Sequence, residues 1–188
     1  IIESDRNGNG ETLSLLINDS VRTFEKGIGL VADTTAAWSL AGKGCDALTG
    51  YLGIDAGLKE DVQAVVEIYG DGVLLYRSDP LIGGRSAEFI YLDIEGINHL
   101  EIKAVGSGEE TLVSLGDAKL KKNQDAAEIT LKKGESAAVS ANASFMPEDF
   151  GKAVWESGDE DVAVVGKDGV ITVVGEGMTR VKSYYETK

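Results

Sequence analysis

Trp38, Arg85 and Asp33 are the side chains of this 188-residue chain whose types best suit contact with a hydroxyl-rich ligand. A tryptophan ring such as that of Trp38 can stack on the C–H face of a pyranose. A loop arginine such as Arg85 can hydrogen-bond two hydroxyls or a carboxylate. Asp33 lies beside a glycine-containing loop, and loops carry function more often than strands do. Each residue also has a plain structural interpretation, a packed core ring for Trp38 and a solvated loop position for the other two.

The titratable residues do not indicate a catalytic centre. His99 is the only histidine and Cys45 the only cysteine, whereas a tetrahedral zinc site needs several nitrogen or sulfur ligands. A Ser-His-Asp triad would have to use His99, which lies in a turn before a predicted strand. Carboxylates are too plentiful to specify a glycosidase pair, and no Gly-x-x-x-x-Gly-Lys-Ser/Thr phosphate loop occurs. We therefore expect a chain that is not an enzyme.

Composition argues against several classes of partner. The 18 basic and 32 acidic residues give a net charge of −14, which repels nucleic-acid phosphates and anionic lipid. No run approaches the ~20 apolar residues of a membrane span. Ile1 leads straight into a polar segment rather than a signal peptide, so export would require a leader that has been removed. We expect neither nucleic-acid binding nor membrane insertion.

The elements that must position these side chains are predicted to be strands. Every second residue is apolar or small in Leu100–Ala104 and in 139–143, as in strands with one wet face. The segments 64–69 and 89–94 are apolar on both faces over most of their length. That pattern favours central strands, although periodicity alone does not separate them from a buried helix. The predicted fold class is all-β.

Turn signals divide the strands into hairpins and the chain into two domains. Asp71-Gly72 and Asp168-Gly169 each separate two β-rich runs, and Asp-Gly supplies the positive φ angles of a tight hairpin. Residues 1–10, with Asn-Gly-Asn-Gly at 7–10, are predicted to be a loop or a frayed end. A short polar run near 121–127 predicts a boundary between domains at 11–122 and 127–188.

Residues 11–122 resemble an NPCBM module, a bacterial carbohydrate-binding β-sandwich. The resemblance rests on phrases that occur in family order, namely FEKGIGLVA at 24–32, YLGID at 51–55, VVEIYGDGVLLYRS at 65–78 and LVSLGDAKL at 112–120. It implies a galactose-binding-like jelly roll, and galactose-type sugars are the usual ligands of the family.

Four positions depart from the family's phrases. Val31 stands where the family has a histidine. Leu112, Ser114 and Leu115 stand where its closing phrase has histidine, aspartate and tryptophan. Those family residues line the sugar-binding face, so the resemblance implies that the usual galactose-type site is absent or strongly altered here.

The closing phrase keeps an acidic residue at Asp117. Related sandwiches hold a structural calcium ion through carboxylates and carbonyls, which are the ligands that this ion prefers. The resemblance therefore makes Asp117 the predicted calcium ligand, and the alternative is a solvated aspartate at a strand end.

Residues 127–188 resemble a group 2 bacterial Ig-like domain. The matching phrases are ITLKKGES at 129–136, VWES at 154–157, VAVV at 162–165 and GVITVVGEG at 169–177. The resemblance implies an Ig-like sandwich that acts as a spacer or an adhesive module, with Trp155 in its core.

Together these features predict two β-sandwich domains, a galactose-binding-like jelly roll followed by an Ig-like sandwich. The expected function is glycan binding by a non-catalytic accessory region of a larger exported bacterial protein, which the resemblance implies is a glycoside hydrolase. The expected location is extracellular or at the cell surface, beside neighbouring domains of the same chain. The alternative is a structural or protein-binding surface module whose sugar site is lost, and a free-standing glycosidase is the third hypothesis.

Overall fold

The computed structural model describes residues 2–59, 61–106, 110–122, 129–140 and 152–185. The chain divides into two compact units, residues 1–123 and 124–188. Every regular element within the described residues is a β-strand, which confirms the all-β prediction. The described part of the chain contains no helix long and apolar enough to cross a membrane.

The described residues form twelve strands in the first unit and five in the second. In chain order they are β1 (Ile2–Ser4), β2 (Leu13–Ile17), β3 (Ser20–Phe24), β4 (Gly27–Val31), β5 (Thr34–Ser39), β6 (Ala47–Ile54), β7 (Gln63–Gly70), β8 (Val73–Arg77), β9 (Leu81–Ile82), β10 (Glu88–Asp93), β11 (His99–Gly106), β12 (Leu112–Lys121), β13 (Ser136–Ala138), β14 (Val154–Ser157), β15 (Ala163–Val165), β16 (Val170–Val173) and β17 (Val181–Tyr184).

Two larger antiparallel sheets form the sandwich of the first unit, beside a two-stranded sheet of β2 and β3. Sheet one has the strand order β1-β4-β12-β6-β10, and sheet two has the order β5-β11-β7-β8, with β9 paired to β7. One continuous hydrophobic core draws buried side chains from both sheets, among them Leu52 and Ile90 from sheet one and Ile68 and Ile102 from sheet two. The arrangement is a β-sandwich, in which each sheet buries its apolar face against the other.

The hairpin of β2 and β3 covers part of the outer face of sheet one. Leu13, Leu15, Ile17 and Phe24 form a second buried cluster there, against which Tyr51 packs. The ring centroid of Tyr51 lies 5.8 Å from that of Phe24 and 5.0 Å from that of Phe89. Sheet one is therefore covered on both faces in this region.

Of the two segments predicted to be central strands, one is central and one lies at an edge. β7 pairs with both β11 and β8, which confirms the prediction for 64–69. The prediction for 89–94 is wrong, because β10 is the last strand of sheet one and, within the described residues, pairs with β6 alone. On its outer face, Phe89 packs against Tyr51.

Local patterns gave two predictions that the structure confirms. Leu100, Ile102 and Ala104 of β11 are buried, whereas Lys103 between them is exposed. The Asp71-Gly72 turn joins β7 to β8 with φ angles of 49° and 81°, the left-handed values that a tight hairpin requires.

A β-bulge interrupts β12 between Gly116 and Lys119, where its register against β6 shifts. Asp117 lies in this bulge with a φ of 52°, a left-handed conformation that is uncommon outside glycine. Its N–H donates to the Lys26 carbonyl oxygen at 2.9 Å. The bulge re-aims the end of the strand, because Leu115 before it packs in the core while Lys119 after it is exposed.

The described residues of the second unit form two small antiparallel sheets, β13-β16-β15 and β14-β17. The predicted strand at 139–143 is wrong in its described part, because β13 ends at Ala138, and 141–143 lie outside the described residues. The predicted hairpin of β15 and β16 is confirmed, although Gly169 alone of its Asp-Gly pair has a positive φ. Trp155 of β14 is half-buried, and a Cβ at Gly169 would lie 3.0 Å from its ring.

Candidate functional site

Trp38 lines a cavity at the end of the first unit where β5 and β12 finish and β6 and β11 begin. The cavity has a volume of about 390 Å³. Leu48, Leu100 and Ile102 of the hydrophobic core border it, and each is at most 2% exposed. Trp38 is half-buried and packs against that core while it forms one wall of the cavity. The two interpretations of Trp38, core ring and ligand platform, are therefore compatible.

Two ion pairs line the rim of the cavity. The Lys26 ammonium group lies 2.7 Å from the Asp5 carboxylate, and the Lys119 ammonium group lies 2.6 Å from the Asp117 carboxylate. The hydrogen bond from Lys26, followed by one from a backbone N–H, holds the pKa of Asp5 below its ordinary value. Asp5 in turn raises the pKa of Lys26. Two carboxylates balance two ammonium groups, so this rim carries no net charge.

Unusual backbone conformations bring these pairs to the rim. Asp5 follows β1 with a φ of 62°, and its carboxylate accepts the N–H of Gly27 at 3.1 Å. Gly27 is required there, because a Cβ would lie 2.4 Å from the carbonyl oxygen of Leu115. On the other strand, the bulge at Asp117 presents that residue and Lys119 to the same cavity.

The other two predicted ligand contacts lie outside the cavity. Arg85 is exposed between β9 and β10, and its guanidinium group has no hydrogen-bond or ion-pair partner among the described residues. Asp33 is exposed in the β4–β5 turn with a φ of 60°, and its carboxylate accepts a long hydrogen bond from the Gly106 N–H at 3.5 Å. The structure thus brings Trp38 and Asp117 together and places Asp33 and Arg85 elsewhere. All of these ligand assignments stay predictions.

Three of the four positions that depart from the resembled family are buried, and the fourth, Val31, is half-buried. Val31 and Leu112 are direct partners in the β4–β12 pair, and Leu112, Ser114 and Leu115 are 4%, 0% and 3% exposed. Leu115 belongs to the core between the sheets. Gly8 covers the pair at the strand ends, because a Cβ there would lie 2.6 Å from Val31 and 3.1 Å from Leu112. In this chain these positions are not an open ligand surface, while the loss of a galactose-type site stays a prediction.

Sequence reasoning missed a buried polar cluster that fixes the N-terminal loop. The Asp55 carboxylate accepts hydrogen bonds from the Asn7 amide and the Ser14 hydroxyl, both at 3.3 Å. The Asn7 side-chain oxygen accepts the N–H groups of Asn9 and Glu11. The prediction of a loop or frayed end at 1–10 is therefore wrong in part, because β1 is a strand and Asn7 is 2% exposed. No local signal reveals this, since Asn7 and Asp55 are 48 residues apart.

The Asp117 carboxylate already has a cationic partner. No group of three or more His, Cys, Asp or Glu residues that could hold a metal ion occurs in the part of the chain that the structure describes. The Lys119 ammonium group already contacts the Asp117 carboxylate, so a calcium ion would have to displace it. The calcium assignment stays a prediction.

Comparison with known proteins gives a family and one curated relative. A family model described as the NPCBM/NEW2 domain matches residues 1–121. A Renibacterium salmoninarum protein named "Putative endo-alpha-N-acetylgalactosaminidase" is 35% identical over 86 residues, which cover 46% of this chain and 6% of that protein. The matched segment is thus a small fraction of that relative.

Solved structures share the fold. The CBM51 from Clostridium perfringens GH95, solved in complex with methyl-galactose, is 27% identical, with a TM-score of 0.59 over 64% of this chain and 88% of that chain. The CBM51-2 and INT domains from Clostridium perfringens ZmpB, solved with GlcNAc, are 23% identical, with a TM-score of 0.59 over 65% of this chain and 28% of that chain. The tandem CBM51 modules of the family 98 glycoside hydrolase from Streptococcus pneumoniae are 20% identical, with a TM-score of 0.59 over 91% of this chain and 60% of that chain. The last two show likeness of fold alone. The predicted jelly roll of the first unit is confirmed.

Proposed function

Since the chain belongs to the NPCBM/NEW2 domain family, we propose that it is the non-catalytic carbohydrate-binding region of a larger exported bacterial protein. The observation that carries the proposal is the similarity of the first unit to a module solved with methyl-galactose, at 27% identity. The name of the curated relative supports a glycoside hydrolase as the parent protein. Enzymes of that kind act on extracellular glycans, which supports an extracellular or cell-surface location.

In this proposal Trp38 supplies the ring on which a sugar stacks. Arg85 and Asp33 supply polar contacts at separate turns, and the exposed Arg85 guanidinium group is available for them. Binding is weak at a single module, and tethering to a polymer raises the effective concentration of the neighbouring domains.

The test is calorimetric titration of the 188-residue chain with a panel of methyl glycosides that includes galactosides. We expect millimolar or tighter binding of at least one glycan, weakened by Trp38→Ala, by Arg85→Ala and by Asp33→Asn. Lys59→Ala is an exposed control for Arg85→Ala.

A panel that yields no binding contradicts the proposal. Galactoside binding would contradict the separate prediction that the usual galactose-type site is lost, and turnover of aryl glycosides would contradict a non-catalytic role.

The second candidate function is a structural or protein-binding surface module. It is favoured by the packing of Gly8 on the half-buried Val31 and the buried Leu112, at positions where the resembled family carries histidines. The same titrations separate the two functions, because this module binds no glycan.

For residues 127–188 we propose a group 2 Ig-like spacer, following a carbohydrate-binding domain at 11–122. The two small antiparallel sheets and the β15–β16 hairpin support this assignment. The test is an experimental structure of the chain, and a second unit without a two-sheet sandwich contradicts the proposal.

We keep a structural calcium ion at Asp117 as a proposal that the family resemblance supports and the contact with Lys119 does not. The test is thermal melting of the chain with a chelator and with added calcium. The ion predicts a lower Tm after chelation, and an unchanged Tm contradicts it.

A further inference from the structure

We propose that Arg22, above the outer face of sheet one, binds the carboxylate of an acidic sugar residue. The inference rests on the proposed glycan-binding function and adds to it a position away from Trp38 and a ligand chemistry. It joins two observations, a guanidinium group held over two aromatic rings and hydrogen-bond donors that have no partner among the described residues.

The β2–β3 hairpin brings Arg22 to the aromatic rings. Arg22 precedes Phe24 by two residues on β3, and this spacing places both side chains on the same face of the strand. Phe24 belongs to the buried cluster beneath the hairpin, and Tyr51 packs against that cluster. Within the described residues β3 pairs with β2 alone, so Arg22 extends from an edge strand and is exposed.

The two rings hold the guanidinium group in place. Its central carbon lies 5.8 Å from the ring centroid of Phe24 and 5.5 Å from that of Tyr51, within the ~6 Å reach of a cation–π contact. Tyr51 is itself held by Phe89, whose ring packs edge-on at 5.0 Å between centroids. An arginine that is already ordered loses less side-chain freedom on binding than a mobile surface arginine does.

The donors of this cluster remain available for a ligand. Arg22 forms no hydrogen bond and no ion pair with any described residue. The Tyr51 hydroxyl also has no partner among these residues, and it is not one of their buried unpaired oxygens, so solvent reaches it. A guanidinium group can contact rings through its flat face while its in-plane N–H donors bind a carboxylate at two points. The ligand that suits these donors is therefore a carboxylate.

The charge of Arg22 is not compensated locally. Lys26, Arg77 and Lys119 each contact a carboxylate of the chain, whereas Arg22 has no such partner in the described part of the chain. The net charge of −14 opposes the approach of an anionic polymer, but salt screens that field beyond about 8 Å. The site therefore suits single carboxylated residues within a glycan better than a densely charged polyanion.

The experiment compares methyl glycosides that differ only in a carboxylate. Calorimetry on the 188-residue chain uses methyl glucuronide with methyl glucoside, and methyl galacturonide with methyl galactoside, at physiological salt. We expect about ten-fold tighter binding of the acidic member of at least one pair, because it adds hydrogen bonds between charged groups. In parallel, NMR spectra of the wild-type chain should show shifts of the Arg22 side-chain N–H and of the Tyr51 ring. Tyr69, on sheet two, is the ring that should not shift.

Three substitutions test the assignment to Arg22. Arg22→Gln removes the charge and should reduce the acidic preference by about ten-fold. Arg22→Lys keeps the charge but lacks the planar fork, so most of the preference should be lost there too. Lys103→Gln is the matched control, because it removes one charge from an exposed strand position on sheet two and should leave the preference unchanged.

The outcomes separate this site from the proposed function. Binding of neutral glycans without an acidic preference, or with NMR shifts that spare Arg22 and Tyr51, overturns the site and leaves the carbohydrate-binding function in place. A preference that survives in Arg22→Gln overturns the assignment to this residue, and one that survives in Arg22→Lys overturns the two-point contact. Equal shifts with sodium acetate at the same concentration overturn a site for sugars. If no glycan binds, both proposals fail. The wild-type NMR shifts decide the question even where a variant does not fold.

Discussion

The Asp55 carboxylate accepts a hydrogen bond at 3.3 Å from the side-chain amide of Asn7, which precedes it by 48 residues. Both residues are almost fully buried. This contact holds the N-terminal loop in the position where Gly8 packs on the paired strand residues Val31 and Leu112.

Asp55→Ala should destabilise the first unit. The substitution leaves the Asn7 amide, the Ser14 hydroxyl and the Gly57 N–H without their acceptor. A buried donor that loses its partner costs about 1–3 kcal/mol, so we expect the free energy of unfolding to fall by about 2–4 kcal/mol. Urea denaturation measures this change. Asp79→Ala, at an exposed position, is the control and should change stability by less than about 0.5 kcal/mol. Equal effects of the two substitutions would show that the Asp55 cluster does not hold the loop.

Gly29→Ala should destabilise the protein by steric overlap with the same loop. A Cβ at Gly29 would lie 2.2 Å from the carbonyl oxygen of Arg6 and 2.5 Å from the Cα of Asn7, so backbone atoms must move. Overpacking of this kind costs about 1–3 kcal/mol. Thermal melting and hydrogen exchange of residues 7–11 measure the loss of stability and the loosening of the loop. Gly57→Ala is the matched control, because its nearest contact is an ordinary 3.4 Å. A neutral Gly29→Ala would mean that the loop does not pack on β4 as described.

The Asp5–Lys26 ion pair should make stability depend on acid pH. The hydrogen bond from Lys26 lowers the pKa of Asp5 from the ordinary 3.8. A lowered pKa in the folded state stabilises that state above the unfolded pKa, and the stabilisation is lost as the pH falls through the folded value. The Tm difference between wild type and Asp5→Asn should therefore be present at pH 6 and shrink below pH 3.8. Lys26→Met should remove most of this difference, and a difference that does not change with pH would contradict the role of the pair.

Tyr76 should make stability depend on alkaline pH. Its hydroxyl donates to the Glu88 carboxylate at 2.5 Å, and burial, followed by that hydrogen bond, raises its pKa well above the ordinary 10.0. A raised pKa in the folded state means that stability is complete below the unfolded pKa and is lost as the pH rises above it. The free energy of unfolding of the wild type should therefore fall more steeply above pH 10 than that of Tyr76→Phe, as measured by urea denaturation between pH 8 and 11. Parallel curves for the two proteins would contradict burial of a neutral Tyr76.

The sequence predicts elements whose structure depends on near neighbours. The alternation in Leu100–Ala104 and the Asp71-Gly72 turn both correspond to the structure, because strand faces and hairpin turns are set within a few residues. The edge position of β10 could not be predicted in this way. Whether a strand is central depends on which distant segments pair with it, and apolar residues such as Phe89 arise equally from packing on an outer face.

The same difference between local and long-range contacts decides which parts of the candidate site the sequence predicts. Trp38 and Asp117 were identifiable by residue type, but their common cavity depends on the bulge in β12 and on the pairing of Lys26 with Asp5 across 21 residues. Asn7 was missed because Asn-Gly repeats indicate a turn, and its buried contact with Asp55 is entirely long-range.

The bulge between Gly116 and Lys119 also bears on how this module could evolve. Residues before it, such as Leu115, are committed to the interior, whereas Lys119 and Leu120 after it border the cavity. Side chains alternate along a strand with a period of two, so one inserted or deleted residue at this point would exchange which of the terminal side chains border the cavity. A change of length at a single position thus gives descendants of the module a way to remodel the cavity while the sandwich interior is inherited intact.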